Sequence, residues 1–140
     1  MKIIAESAYN HQGNFEYLKE LAIESKKSGA DYFTVQMMNV ESFCTHDYVK
    51  YKLYKYTEFT ENQWVELFDF CKTIEMDLIP CTLELDSFNL AYNYGFRVVK
   101  IHGTDLTNQP FLEYIKEKQD CYVILETQCC TDYEINYAVS

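Results

Sequence analysis

The sequence predicts an α/β protein built from parallel β/α units, arranged either as an open doubly wound sheet or as a partial (β/α)8 barrel of about five of the eight units. Three observations predict it. Strand-like and helix-like segments alternate five times along the chain. The strand-like segments are continuous apolar runs, as expected where helices cover a parallel sheet. Polar residues (Glu6, Gln36, Thr82, Lys100 and Glu126) stand at their C-terminal ends, the edge where β/α folds place their active sites.

The elements follow in order. Lys2 to Glu6 reads as a buried strand. Asn14 caps a helix whose Phe15, Leu18, Leu21, Ala22 and Ser25 share one face, and Gly29 ends it. Tyr32 to Gln36 is the second strand, and Met37 to Phe59 reads as long and irregular. Thr60 and Gln63 form a capping box for a helix through Glu75. Asp77 to Thr82 is the third strand, Asp86 caps a short helix to Tyr94, and Gly95 stops it. Arg97 to Ile101 is the fourth strand, and Asn108-Gln109-Pro110 opens a helix. Cys121 to Thr127 is the fifth strand, and Thr131 with Glu134 starts a last helix.

The 140 residues, 48% apolar and 24% charged, suit one globular domain over residues 1–140. The net charge of −10 argues against nucleic acid and membrane surfaces as partners. Apolar runs fall short of the ~18 residues that cross a bilayer, and Glu6 comes too early for a signal peptide. Cys44, Cys71, Cys81, Cys121, Cys129 and Cys130 form no C-x-x-C pair and have no His at zinc-finger spacing, so they read as thiols of a reduced, cytoplasmic protein. Tyr48, Tyr51, Tyr54 and Tyr56, interleaved with Lys50, Lys52 and Lys55, admit three readings: a nucleic-acid stacking surface, a locally packed loop, or an active-site lid. The acidic net charge favours the locally packed loop over the nucleic-acid surface. G-x-G-x-x-G after the first strand and the phosphate-binding G-x-x-x-x-G-K-[ST] are both missing, which takes away the main support for the nucleotide-binding versions of the fold.

Glu6-Ser7-Ala8-Tyr9-Asn10-His11-Gln12-Gly13 resembles the E-x-G-x-N-H-x-G opening of the sialic acid synthase family. The similarity continues in register through Gly29-Ala30-Asp31, Gln36, Cys81-Thr82, Lys100-Ile101 with Asp105, Asn108 to Leu112, and Glu134-Ile135 with Ala138-Val139. The segment Glu41 to Tyr48 is most similar to a branch of spore-coat polysaccharide biosynthesis. The resemblance implies a TIM barrel of which this chain holds the first five units: foremost a truncated or divided gene product, otherwise a chain that opens into a flatter sheet, or one whose remainder a homo-oligomer or partner chain supplies. It also implies condensation of phosphoenolpyruvate with an N-acyl hexosamine, releasing phosphate. The implied cofactor is a divalent metal, Mn2+ or Mg2+, whose ligands lie outside this chain.

By the same resemblance Glu6 and Lys100 are the catalytic candidates, and Asn10, Gln36, Thr82, Asp105 and Thr127 the substrate-binding ones. The chain departs from the family at the donor site. Thr34 stands where the family has a first lysine, Gly103 replaces a serine, and Glu126-Thr127-Gln128 replaces S-T-G. Losing a lysine and gaining a carboxylate weakens anion binding, and this opens the alternative of a non-catalytic relative that binds a sugar or serves a complete synthase. Each candidate also has a plainer reading. Glu6 and Lys100 can form a structural ion pair, Asn10 and His11 can shape a turn, Glu126 can pair with Lys100, and His46 and His102 read as non-ligands.

Overall fold

The computed structural model describes residues 1–128 and 130–139. Five strands, β1 (Ile4–Glu6), β2 (Tyr32–Met37), β3 (Asp77–Thr82), β4 (Val98–Ile101) and β5 (Tyr122–Leu125), form one sheet in sequence order with every neighbouring pair parallel. Helices α1 (Phe15–Lys27), α4 (Glu61–Thr73), α5 (Leu85–Tyr94), α6 (Gln109–Lys116) and α7 (Asp132–Val139) follow the strands, and a 3-10 turn spans Gly103–Thr107. Two further helices, α2 (Val40–Phe43) and α3 (Tyr51–Thr57), occupy the segment read from sequence as irregular. They are too short for periodicity to show, and Lys50 ahead of α3 makes no side-chain cap.

Several expected signals act as the sequence implies. Asn14 accepts from the Tyr17 N–H at 3.0 Å, Thr60 and Gln63 close their capping box, and Thr131 and Glu134 cap each other at the start of α7. Gly95 takes the left-handed conformation at φ 118° that ends α5. Three readings are corrected, the first being β1, which spans Ile4–Glu6 rather than Lys2–Glu6 and has Ile4 and Glu6 exposed rather than buried. Glu84, not Asp86, caps α5: its longer side chain folds back onto the Asp86 and Ser87 N–H groups, while Asp86 sits inside the first turn. β5 ends at Leu125, two residues before Thr127. Cys129, half of the vicinal pair noted in the sequence, lies outside the described residues.

Alternation along the ladder separates two faces. Phe33, Val35, Met37 and Leu78 pack with Leu18 and Ala22 of α1 and Trp64, Leu67 and Phe68 of α4, while Val99 and Ile101 pack with Phe88 of α5 and Phe111 and Ile115 of α6. The opposite face carries Glu6, Thr34, Gln36, Cys81 and Lys100, in register across β1 to β4. Its margins are open. Ile4, Val98, Tyr122 and Ile124 on this face are 43%, 39%, 77% and 37% exposed. Pro80 lies mid-strand in β3, and the ladder to β4 begins one residue later, at Cys81 with Lys100.

The turn after β1 is tightly wound. Ala8, Gln12 and Gly13 have φ of 44°, 50° and 75°, and a Cβ built on Gly13 would meet the Tyr56 carbonyl oxygen at 2.5 Å. Gly13 is thus required both for its backbone angle and for the close approach of α3. Gly13→Ala is expected to lower stability by about 2 kcal/mol or more. Ala8→Gly, which relieves a left-handed alanine, should raise it by about 0.5 kcal/mol. Urea unfolding of the two variants checks the opposite signs.

Candidate functional site

The C-terminal strand ends bring Glu6, Gln36 and Lys100 to one mouth. The Lys100 ammonium donates to Glu6 Oε2 at 2.8 Å, and Gln36 Nε2 donates to Glu6 Oε1 at 3.4 Å. Glu126, just past β5, holds Oε2 at 3.9 Å from Lys100 Nζ and 3.4 Å from His102 Nε2. The Lys100 side chain is 14% exposed. Burial works against its charge, but the Glu6 hydrogen bond, the Cys81 thiol and the carboxylates of Glu6 and Glu126 together hold its pKa above 10.5. Lys100 is therefore a charged group already claimed by two carboxylates.

The other candidates are placed less alike. Asp105 is 6% exposed on the 3-10 turn, and its Oδ2 has no hydrogen-bond partner. Burial, with Glu84 nearby, pushes its carboxyl from 3.8 up to about 7. Thr82 pairs in the ladder with Met37 and Ile101, which puts it on the helix-packed face, away from Lys100; its hydroxyl is buried without a partner. Asn10 and Thr127 are exposed on loops. His11 is 2% exposed, packs at a tilt against Phe59 with ring centroids 4.8 Å apart and accepts the Gly13 N–H at Nδ1, so it shapes the turn. Burial lowers its pKa, which keeps the ring neutral.

Beside the mouth, a cavity of about 570 Å³ lies between the strand ends and the α2–α3 segment. Gln36, Glu84, His102, Thr104, Asp105 and Asn108 supply its polar lining; Tyr9, Phe43, Tyr48, Tyr54 and Leu83 supply its apolar wall. Tyr54 is the centre of that wall, 5.7 Å from Tyr9, 5.6 Å from Phe43 and 6.0 Å from Tyr48 between ring centroids. Tyrosines of the Tyr/Lys run thus pack on one another and roof the cavity, while Lys55 pairs with Glu58 at 2.5 Å. Sequence reasoning missed Glu84. Buried at 5% exposure, its carboxylate accepts the Asn39 N–H at 2.8 Å as well as those of α5. Asp86 holds Ser42 Oγ at 2.6 Å, so the two carboxylates tie the roof to α5. The signal was the acidic pair Glu84-Leu85-Asp86 directly after a strand.

Among the described residues, no group of three or more His, Cys, Asp or Glu side chains converges as a metal requires. His102 and Glu126 bring two donors to the mouth. The residues present do not fit a divalent ion, and no step is assigned to one. Among the same residues no helix is long and apolar enough to cross a membrane. Burial pushes the Cys71 and Cys81 thiols up to about 12, which makes both unreactive.

A parallel β/α sheet with its polar cluster at the C-terminal mouth is the architecture of barrel enzymes that act on small metabolites. Within that class the family is defined: residues 17–140 match the NeuB family model, and the chain belongs to this family. It is 24% identical over 151 aligned positions to the N,N'-diacetyllegionaminic acid synthase of Legionella pneumophila, covering 98% of this chain and 42% of that protein. It is 29% identical over 124 positions to the N-acetylneuraminate-9-phosphate synthase of Drosophila melanogaster, covering 79% of this chain and 33% of that one. The crystal structure of the N-acetylneuraminic acid synthetase of Leptospira borgpetersenii superposes with a TM-score of 0.90 at 23% identity, over 98% of this chain and 48% of that chain. The chain thus spans less than half the length of these relatives, and its five parallel strands superpose on part of a TIM barrel.

Proposed function

We propose that this chain contributes the sugar-binding side of a sialic acid synthase-like barrel in the biosynthesis of a nonulosonic acid or related surface polysaccharide. The observation that carries the reading is the convergence of Glu6, Gln36 and Lys100 on one mouth beside a cavity lined by Asp105, whose Oδ2 has no hydrogen-bond partner. In the reaction proposed, C3 of phosphoenolpyruvate bonds to the aldehyde carbon of an open-chain N-acyl hexosamine, water adds at C2, and phosphate leaves. Glu6 stands where a carboxylate can orient the aldehyde or take a proton, and Lys100 where an ammonium can face the donor's anionic groups. Gln36 and Asp105 match the hydrogen-bonding needs of hydroxyl and amide groups.

A second reading is favoured by the charge at the mouth: a sugar-binding relative without catalysis, working as partner of a complete synthase. Lys100 lies between Glu6 and Glu126, and Thr34 occupies the position of the family's other lysine. Calorimetric titration with phosphoenolpyruvate and Mn2+ separates the two. Saturable heat at micromolar ligand supports catalysis; no binding at millimolar ligand supports the partner role. A homo-oligomer or partner chain belongs to both readings, supported by the open apolar face of β1, β4 and β5. So does a cytoplasmic setting, supported by the buried Cys71 and Cys81 thiols.

A further inference from the structure

The Tyr48–Tyr56 run has an outer side that the roof leaves unused. Its inner side is committed: Tyr54 packs on Tyr9, Phe43 and Tyr48, Tyr51 donates to Glu41, and Lys55 pairs with Glu58. Lys52, Leu53 and Tyr56 share the other side of α3, at the three- and four-residue spacing of one helix face, and Val49 comes one turn ahead of Leu53. All four face water: Val49 is 88%, Leu53 56% and Tyr56 71% exposed, and Lys52 is exposed as well. Neither Lys50 nor Lys52 has an ion-pair partner among the described residues. The run holds three lysines and no carboxylate, a charge of +3 in a chain of −10, so the remaining residues carry −13. A basic, apolar strip on so acidic a molecule is a docking surface for an acidic, apolar one.

The same chain offers such a surface at the far edge of its sheet. α7 follows β5, whereas α3 sits over the turn after β1, where Tyr54 meets Tyr9 and the Tyr56 carbonyl lies against Gly13. Asp132, Tyr133, Asn136 and Val139 of α7 are exposed, Tyr133 by 72% and Val139 by 67%. Asp132, Asn136 and Val139 repeat the spacing of Val49, Leu53 and Tyr56. α7 contains Asp132 and Glu134 and no basic residue, and Lys116 beside it is taken by Glu113 and the Tyr137 carbonyl. An anionic membrane would match the lysines of α3, but the −13 carried elsewhere repels it; a second copy turns that same charge into attraction. We propose that the outer side of α3 docks on the outer side of α7 of a second copy of this chain. Because the two surfaces differ, the contact runs head to tail: it closes when two copies exchange it reciprocally and otherwise extends into longer assemblies. It is independent of the sugar-binding reading above.

Sedimentation velocity of the 140-residue chain at about 50 and about 500 mM NaCl tests it. Two helices of this length bury less than the ~1,200 Å² of a standard interface, so the expected dissociation constant is on the order of 10–100 μM at the lower salt, weakened about tenfold at the higher. Leu53→Glu and Lys52→Glu are each expected to weaken association by about tenfold or more while leaving thermal unfolding unchanged. Asp132→Lys should weaken it too, and Lys52→Glu with Asp132→Lys in one chain should restore it. A chain that stays monomeric at about 500 μM, well above that constant, overturns the proposal, as does Lys52→Glu associating like the parent. Association that the double reversal does not rescue overturns the pairing with α7. Sedimentation with vesicles containing phosphatidylglycerol, lost in Leu53→Glu while the chain stays monomeric, overturns it in favour of a membrane.

Discussion

Replacing Thr34 with lysine and Glu126 with serine together is expected to raise affinity for phosphoenolpyruvate by about 100-fold over the parent chain. Thr34 is 1% exposed, pairs with Glu6 in the ladder and lies two residues before Gln36 on the same face. A lysine there extends toward the mouth, and the unpartnered Thr34 hydroxyl is no loss. Removing Glu126 takes away a carboxylate 3.9 Å from the Lys100 ammonium. Each charge change is worth about 3–4 kcal/mol against an anion about 4–5 Å away at an effective dielectric near 20. Burying a new ammonium and its attraction to Glu6 take back more than half of that sum, leaving about 3 kcal/mol. Calorimetry on the parent, the two single variants and the double variant measures it. The sites share Lys100 and Glu6 as neighbours, so the singles should not add. An affinity unchanged in the double variant would show that the electronegative mouth is not what limits donor binding.

The fold was legible wherever a local signal and the tertiary structure agree. Asn14, Thr60, Thr131 and Gly95 each act within a few residues of the backbone they cap, and so do apolar runs long enough to form a buried strand. The α2–α3 segment was not legible because its order comes from elsewhere. Asn39 is held by Glu84, Val40 N–H donates to Glu58 at 2.7 Å, and Tyr54 packs on Tyr9, a residue 45 positions earlier. The cap of α5 misled for a related reason: Asp is the better N-cap by preference, yet Glu84 also had Asn39 N–H to satisfy, and the tertiary contact decided the boundary.

The mouth was legible in part for a geometric reason. Residues at strand ends of one parity in a parallel sheet share a face, so Glu6, Gln36 and Lys100 had to approach one another once the register was set. The same rule shows why Thr82 stands apart: it follows Cys81 by one residue, and one residue reverses the face. Asp105 belongs to no strand. Its place in the cavity depends on the 3-10 turn, and its isolation depends on burial that residue type does not reveal.

That isolation makes Asp105→Asn the variant with the largest expected effect on stability against pH. The native carboxyl is pushed to about 7, against an ordinary value of 3.8. Below about pH 4 both the native and the unfolded carboxyl hold the proton, and the native state keeps its full stability. Between about pH 4 and 7 the unfolded chain has released a proton that the native chain still binds, so stability falls as pH rises. Above about 7 both are ionised and the loss is complete, on the order of 4 kcal/mol. Carboxylates with lowered pKa, such as Glu41 through Tyr51 and His46, slope the opposite way, but they are exposed and common to both proteins. The difference between parent and Asp105→Asn in urea unfolding at pH 4 and pH 8 therefore isolates the one group: the variant gains on the parent as pH rises. A difference that stays constant with pH means that Asp105 is ionised throughout and already has a partner. On the proposed sugar-binding role, a hexosamine hydroxyl donating to Oδ2 would favour the ionised form, so saturating sugar is expected to move the inflection below pH 7 in the parent and to leave the shape of the variant's profile unchanged.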